Sequence, residues 1–210
     1  MRNYLTEFVG TFFLVLTIGL AVSTGSPFAP LAIGASLMIM VYAGGHISGG
    51  HYNPAVSLAV MLRGALPARE FLPYAVSQIA GAIVAALVSL TITGATFAPA
   101  PGAGASTISA VIVEALYTFA LAYVVLHTAV AKETAGNSFF GLAIGFTVVV
   151  AAFAGGGISG GAFNPAVGIG PTIIDATMGG GDWGSLWLYI VAPLIGGALA
   201  AVVFGVQDRK

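Results

Sequence analysis

The hydrophobic and polar positions of the chain form long uncharged stretches separated by short segments rich in turn residues. Asp, Glu, Lys and Arg are absent from residues 8–62, 71–113 and 134–174. Because a membrane-spanning helix needs about 20 apolar residues, the longest stretch must hold more than one helix. Clusters of glycine, proline and serine divide these stretches and predict helices over residues 4–22, 29–43, 71–93, 107–131, 138–154 and 183–206.

The composition requires a lipid environment for these helices. Hydrophobic residues make up 58% of the 210 positions and charged residues only 6%, whereas a soluble domain carries about 25% charged residues. The net charge of -1 excludes a nucleic-acid partner, which would need a basic surface. The chain has no cysteine and no spaced cluster of histidine and acidic residues, so we expect neither a metal nor a cofactor.

The basic residues indicate the orientation of the chain. Six spans place both termini on one side of the membrane, and all six basic residues then fall on that side. They are Arg2, Arg63, Arg69, Lys132, Arg209 and Lys210. Because cytoplasmic loops carry an excess of Lys and Arg, we expect a multi-pass protein of the plasma (inner) membrane with both termini in the cytoplasm.

An internal repeat divides the chain into two copies of one unit. Residues 32–59 and 143–170 align without a gap and are identical at 14 of 28 positions. Both segments contain Ile-Ser-Gly-Gly-x-x-Asn-Pro-Ala-Val. We therefore predict one channel domain, residues 1–210, built from copies over 1–106 and 107–210. Each copy has three spans, so the second enters the membrane inverted, an arrangement common in membrane transport proteins.

The repeated Asn-Pro-Ala sequences predict two short helices. Asn is a favoured helix N-cap and Pro suits the first helical position. The first segment has about ten residues before Arg63, or about 15 Å, which is half of a 30 Å hydrocarbon core. We therefore expect two re-entrant half-helices that meet at the midplane of the bilayer. The predicted midplane residues are Asn53, Pro54, Ala55, Asn164, Pro165 and Ala166.

The glycine-rich segments before these half-helices predict an extended backbone with carbonyl groups facing a solute. We expect this conformation to include the glycines at 44–45 and 155–157. The predicted lining residues are His46, Ser48, Gly49, Gly50 and His51 in the first copy and Gly157, Ser159 and Gly160 in the second. The two histidines are expected near the inner vestibule, where a pH-sensing role is an open alternative.

The two facing helix ends predict rejection of cations. Each helix N-terminus carries about +0.5 charge. At about 5 Å and an effective dielectric constant of about 20, two such ends raise the energy of a cation by about 3 kcal/mol. An uncharged solute experiences little of this field. The arrangement is therefore expected to conduct neutral molecules and to exclude cations, protons included.

Two Asn-Pro-Ala motifs in inverted three-helix repeats resemble the major intrinsic protein family, the aquaporins and aquaglyceroporins. The resemblance covers the whole chain. It implies an all-α membrane protein with six transmembrane helices and two re-entrant half-helices. It also implies a homotetramer with one pore per subunit. The implied partners are the lipid bilayer, water and small neutral solutes.

The resemblance also identifies a selectivity filter. By spacing from the two asparagines, its four positions are Ile33, Ala152, Gly161 and Val167. Most family members carry arginine at the position of Val167, and glycerol facilitators usually carry aspartate at the position of Gly168. The four residues here offer no charge, no aromatic ring and no side-chain donor, so we expect a wider and more apolar constriction.

Glu7 and Glu114 are the acidic residues that fall well inside predicted spans. A carboxylate within the membrane is a candidate for function, such as a proton relay. It can instead be a scaffold that accepts backbone hydrogen bonds from a re-entrant loop. The symmetric positions in the two copies and the family resemblance favour the scaffold.

The sequence favours a passive channel for water and small uncharged solutes, with urea, glycerol and neutral metalloid hydroxides such as arsenous acid as candidates. Three other functions are alternatives. A coupled secondary transporter also uses inverted repeats and broken helices. The segment Gly157-Ile158-Ser159-Gly160 matches a short motif of intramembrane serine proteases. A purely structural junction protein would not need polar loops that line a pore. Ser48 occupies the place of Ser159 in the other copy, so Ser159 is better explained as an element of the loop. We therefore expect a protein that is not an enzyme.

Overall fold

A computed structural model describes residues 1–208, so Arg209 and Lys210 lie outside the described residues. Within the described part, six helices are long and apolar enough to cross a membrane and no strand is present. This confirms the predicted all-α membrane fold. The helices are α1 (Arg2–Ser23), α2 (Ala29–Ser48), α3 (Pro54–Leu62), α4 (Ala68–Thr93), α5 (Thr107–Val125), α6 (Phe140–Ser159), α7 (Pro165–Ile174) and α8 (Leu186–Gln207).

Two short helices, α3 and α7, are the predicted half-helices. They have 9 and 10 residues, which is too short to cross a bilayer. A π-helical turn, Leu126–Val130, continues α5, and another, Asp175–Gly179, follows α7. A 3-10 turn, Lys132–Thr134, begins the connection to α6.

Two predicted helix ends are wrong. The glycines after residues 43 and 154 are predicted to break their helices, but α2 and α6 continue to Ser48 and Ser159. A helical glycine costs only about 1 kcal/mol relative to alanine, and here packing requires it. A Cβ on Gly44 would overlap the hydroxyl of Tyr52. The non-helical backbone that precedes each half-helix is therefore short, and it covers residues 49–53 before α3 and residues 160–164 before α7.

The helices pack in equivalent pairs from the two copies. Helix α1 packs against α4 in the first copy, and α5 packs against α8 in the second. The half-helices then pack across the copies, with α3 against α8 and α7 against α4. Each half-helix is therefore held mainly by a spanning helix of the other copy, in addition to its own.

Glycines allow the close crossings within these pairs. A Cβ on Gly81 of α4 would overlap the backbone carbonyl of Phe8 in α1. A Cβ on Gly196 of α8 would overlap the carbonyl of Ala115 in α5. Small residues at such crossings let helix backbones approach closely, which is the main source of packing energy between helices in lipid.

The distribution of residues is the reverse of that in a soluble protein. Large apolar side chains such as Leu5, Leu116 and Val202 are exposed on the outside of the bundle. Glu7 and Glu114 are fully buried inside it. This arrangement fits a lipid environment, where apolar side chains face the acyl chains and polar groups must find partners inside the protein.

The crossings give a first prediction. Leucine at Gly81 or Gly196 should lower the free energy of unfolding by about 1–3 kcal/mol, because the new side chain meets backbone that cannot yield. Thermal unfolding of the purified protein in detergent measures this as a lower Tm. Gly157→Ala is the control, because a Cβ there meets nothing within 4 Å. An unchanged Tm in both leucine variants would contradict the close crossings.

Candidate functional site

The two half-helices begin at asparagine caps with the same geometry. Asn53 and Asn164 have extended backbone, with φ values of -158° and -161°. The Oδ1 atom of Asn53 accepts the backbone N–H of Ala55 at 2.8 Å, and that of Asn164 accepts the N–H of Ala166 at 2.9 Å. Each cap satisfies one of the free N–H groups of a helix start.

The same asparagines join the two half-helix tips. The Asn53 Nδ2 donates to the carbonyl of Phe163 at 2.9 Å, and the Asn164 Nδ2 donates to the carbonyl of Tyr52 at 2.8 Å. An amide nitrogen carries two hydrogens, so each side chain keeps one N–H beyond this reciprocal pair. The bonds fix the orientation of both amides at the point where the two copies meet.

The loops before the caps have a strained backbone. Tyr52 and Phe163 have φ values of 49° and 50°, in the left-handed region that non-glycine residues rarely adopt. Such a conformation costs about 1–3 kcal/mol and persists only where the surroundings fix it. The Tyr52 ring is buried in the space left by Gly10 and Gly44, where a Cβ would overlap it.

A buried carboxylate holds the first loop. Glu7 Oε1 accepts the hydroxyl of Ser48 at 2.6 Å and the backbone N–H of His51 at 3.0 Å. Its Oε2 accepts the backbone N–H of Tyr52 at 2.6 Å and the side-chain amide of Gln78 at 2.8 Å. Two of these four bonds satisfy backbone N–H groups of the loop that lie too deep in the bilayer to reach water.

A second carboxylate holds the second loop in the same way. Glu114 Oε1 accepts the hydroxyl of Ser159 at 2.7 Å and the backbone N–H of Ala162 at 3.0 Å. Its Oε2 accepts the N–H of Phe163 at 2.5 Å. The contacts of both carboxylates are those of a scaffold for the re-entrant loops.

A cavity of about 240 Å³ extends from the membrane face opposite the termini, where Val22 and Ala29 line it, past the asparagine pair to His51 and Val125. The two asparagines form part of its lining, and apolar side chains such as Leu121 and Val148 form much of the rest. All four predicted filter residues line it as well, namely Ile33, Ala152, Gly161 and Val167. The structure therefore brings the filter positions and the asparagines to one continuous space.

A second cavity, of about 770 Å³, opens on the face where α1 begins. Its lining includes Tyr4 and Glu70 on the spanning helices and Gly49 in the first loop. His51 and Val125 line both cavities. These two side chains therefore mark the junction of the two cavities.

The remaining predicted lining residues are distributed between the cavities and the helices. Gly50 and Gly160 line the first cavity, and Ser48 and Gly49 line the second. The other three, His46, Gly157 and Ser159, lie on α2 and α6 and border neither cavity in the described part of the chain. They are displaced because these helices continue through the glycines. The four Pro and Ala residues of the motifs are buried in the first turns of α3 and α7.

Sequence reasoning missed several residues of this site, among them Ser57, Gln78 and Val125. Gln78 is fully buried and bonds directly to Glu7, and Val125 borders both cavities. Gln78 carries a usable signal, because an amide in the middle of an apolar span needs a partner inside the protein. Val125 has no such signal in the sequence, because a valine that borders a cavity cannot be told from the other valines of an apolar helix.

The amino-acid sequence is similar to those of known membrane channel proteins. The sequence profile described as "Major intrinsic protein" matches residues 1–204. Glycerol uptake facilitator protein-like 6 of Lactiplantibacillus plantarum is 39% identical over 225 residues, which cover 99% of this chain and 100% of that protein. Aquaporin NIP1-4 of Oryza sativa subsp. japonica is 35% identical over 211 residues, covering 96% of this chain and 75% of the relative.

A solved structure shows the same fold. The X-ray structure of the aquaglyceroporin from Plasmodium falciparum superposes with a TM-score of 0.84. The match covers 99% of this chain and 95% of that one, at 20% sequence identity. The helix arrangement is thus shared even though most side chains differ.

The carboxylate scaffold gives a second prediction. Glu114→Ala should strongly reduce the folded yield, because each backbone N–H left without an acceptor costs about 1–3 kcal/mol. Glu114→Gln should be intermediate, since its single amide oxygen can accept only part of the set. The measurement is the monodisperse fraction on size exclusion together with Tm. Glu70→Gln, at a partly exposed site, is the control. Variants at Glu114 that fold normally but do not transport would instead support the proton relay.

Proposed function

The chain belongs to the major intrinsic protein family, and from this premise we propose that its pore passes uncharged solutes larger than water as well as water. The family and the fold are those of membrane channels for water and small solutes. The finer proposal concerns which molecules pass. One observation carries it, namely the chemistry of the four filter residues that line the first cavity.

The lining of that cavity supports a wide, apolar filter. Ile33, Ala152, Gly161 and Val167 supply no charge, no ring and no side-chain donor. Val167 lies in the first turn of α7, is 4% exposed and borders the cavity with a short apolar side chain. A constriction without a fixed cation has no electrostatic barrier of its own.

Exclusion of cations and protons then rests on the midplane. The N-termini of α3 and α7 meet there, and each contributes a partial positive charge. The remaining N–H of each asparagine amide can donate to the oxygen of a passing molecule. Water bound by both donors has its hydrogens directed away from the centre, which interrupts a continuous chain of donated hydrogen bonds. Neutral solutes with acceptor oxygens are accepted at the same point.

The solutes that best suit this pore are small, neutral and rich in hydroxyl or amide groups. Urea, glycerol and neutral metalloid hydroxides such as arsenous acid have these properties. One face of such a molecule can contact the apolar wall while its oxygens reach the asparagine donors. The name of the relative from Lactiplantibacillus plantarum, a glycerol uptake facilitator protein-like protein, is consistent with this class.

The alternatives fit the contacts less well. A coupled transporter would need a free carboxylate for its coupling ion, but Glu7 and Glu114 already accept loop hydrogen bonds with both oxygens. The hydroxyl of Ser159 donates to Glu114, as that of Ser48 donates to Glu7. Ser159 is fully buried, so it serves the loop rather than a substrate.

We also propose the orientation of the channel in its membrane and its oligomeric state. Arg63 caps α3, Arg69 lies in the first turn of α4, and Lys132 follows the π-helical turn after α5. With Arg2 they mark one face of the bundle, which we assign to the cytoplasm of an inner membrane. Association into a homotetramer with one pore per subunit is proposed from the family alone.

Swelling of vesicles that contain the purified protein tests the solute range. We expect urea and glycerol gradients to drive swelling well above that of empty vesicles, because the filter admits molecules larger than water. Light scattering after rapid mixing measures the rate. If water moves and urea does not, the wide filter is refuted while the water channel remains.

A substitution in the filter tests the residue that carries the proposal. Val167→Arg should lower urea and glycerol permeability about tenfold, equivalent to about 1.4 kcal/mol of added barrier, because a long cationic side chain narrows the lumen. Water permeability should fall much less. Val167→Leu is the matched control, since it adds volume without charge or donors. An unchanged solute range in the arginine variant would remove Val167 from the filter.

A further inference from the structure

The two copies differ in one polar cluster beside Glu7. In the first copy, His51, Ser57 and Gln78 form a hydrogen-bonded chain that ends on the carboxylate. The corresponding positions of the second copy, by alignment of the loops and by spacing from Tyr74 and Tyr189, carry no polar side chain. They are Ala162, Gly168 and Pro193.

The loop does not need this cluster to fold. Gly49 and Gly160 have φ values of 95° and 93°, and the following glycines have 63° and 69°. The two loops thus share one backbone conformation, although only the first has the chain of polar side chains. The second copy is an internal control, and it indicates that His51, Ser57 and Gln78 serve something other than loop geometry.

The direction of the hydrogen bonds follows from the carboxylate. Glu7 Oε2 can only accept, so the Gln78 atom that meets it at 2.8 Å is the amide nitrogen. The same nitrogen lies 3.0 Å from the hydroxyl oxygen of Ser57 and donates its second hydrogen there. The Ser57 hydroxyl hydrogen is then free for His51 Nδ1, which lies 3.0 Å away. In the arrangement that we assign, Nδ1 accepts this hydrogen, and the ring proton resides on Nε2.

The other edge of the ring faces the route between the cavities. His51 is 7% exposed and lines both cavities. Its Nε2 lies beside Gly49, where a Cβ would be 2.8 Å from it, and Gly49 lines the larger cavity. The imidazole therefore has one nitrogen enclosed by Ser57 and the other turned toward the solute.

We propose that Gln78 and Ser57, anchored on Glu7, lock His51 in the tautomer protonated at Nε2, so that the junction of the two cavities offers solutes an N–H donor and does not relay protons. This rests on the proposed function, in which the two cavities form the solute route. His51 is a specificity-determining residue, because it faces the solute. Ser57 and Gln78 are positioning residues that act through it.

The proposal depends on what an imidazole needs in order to relay a proton. An imidazole passes a proton along a water chain only if one nitrogen accepts while the other releases, and water must reach both. Here Nδ1 is enclosed by Ser57 and already accepts a hydrogen bond from its hydroxyl group. Solute oxygens can still accept from Nε2–H, so neutral molecules keep a favourable contact at the junction of the two cavities.

The unpaired oxygen of the Gln78 side chain supports its assignment as a positioning residue. Its Oε1 is buried and has no partner among the residues that the structure describes. A buried acceptor without a partner is destabilising, and an apolar residue would avoid that cost, as Pro193 does in the other copy. The amide is thus retained for its two donors, which connect Glu7 to Ser57.

Nitrogen NMR measures the tautomer directly and does not depend on transport. Protein labelled with ¹⁵N-histidine and carrying His46→Gln and His127→Gln leaves the signals of His51 alone. We expect an Nε2–H, Nδ1-unprotonated ring at neutral pH, which becomes a mixture in Ser57→Ala. Ser89→Ala is the matched control, because that hydroxyl is buried without a partner in the described chain. An Nδ1–H ring, an imidazolium, or no response to Ser57→Ala overturns the proposal.

Proton flux into vesicles with a trapped pH-sensitive dye is the second measurement. Ser57→Ala should raise the flux several-fold with little change in water permeability, whereas Ser57→Thr, which keeps the hydroxyl, should behave like the unmodified protein. A flux in Ser57→Ala equal to that of Ser89→Ala overturns the proposal. Failure of the unmodified protein to pass water would refute the channel instead, and the NMR result would be unaffected by it.

Discussion

Backbone N–H groups that leave a helix deep in a bilayer need acceptors inside the protein, and this requirement governs the structure. Two re-entrant loops create the demand, and two buried carboxylates meet it. Glu7 and Glu114 each accept consecutive backbone N–H groups and a serine hydroxyl. Without these acceptors the left-handed residues before each asparagine would relax, and the half-helix tips would lose their alignment. The carboxylates are therefore best understood as structural anchors, although charge in a membrane usually indicates transport chemistry.

The inverted duplication explains why the midplane is built from reciprocal contacts. Asn53 donates to the loop of the second copy, and Asn164 donates to the loop of the first. Each copy thus completes the other, and the half-helices pack across the copies as well. A symmetric structure of this kind places two helix N-termini at one point, where their partial charges add. In the function that we propose, rejection of cations is then a property of the fold rather than of any charged side chain.

Function is expected where the symmetry is broken. The four filter residues of the first cavity have no charge and no side-chain donor. The junction with the second cavity is bordered by His51, which has no polar equivalent in the second copy. We propose a division of roles, in which the apolar filter sets the size of the solute and the midplane and His51 set its polarity.

The sequence by itself determined the spans, the duplication and the half-helices, because each depends on local properties such as apolar length, identity at aligned positions and the capping preference of Asn-Pro. It also placed Glu7 and Glu114, since their symmetric positions are visible in the chain. It did not determine where α2 and α6 end, because the glycines at 44–45 and 155–157 signal a break by composition, whereas in the fold they stay helical. Gly44 and Gly155 make room there for the side chains of Tyr52 and Val113. Only the tertiary structure decided that His51 and Val125 border both cavities and that Gln78 reaches Glu7, because these contacts join residues far apart in sequence whose side chains carry no local sign of the partner they meet.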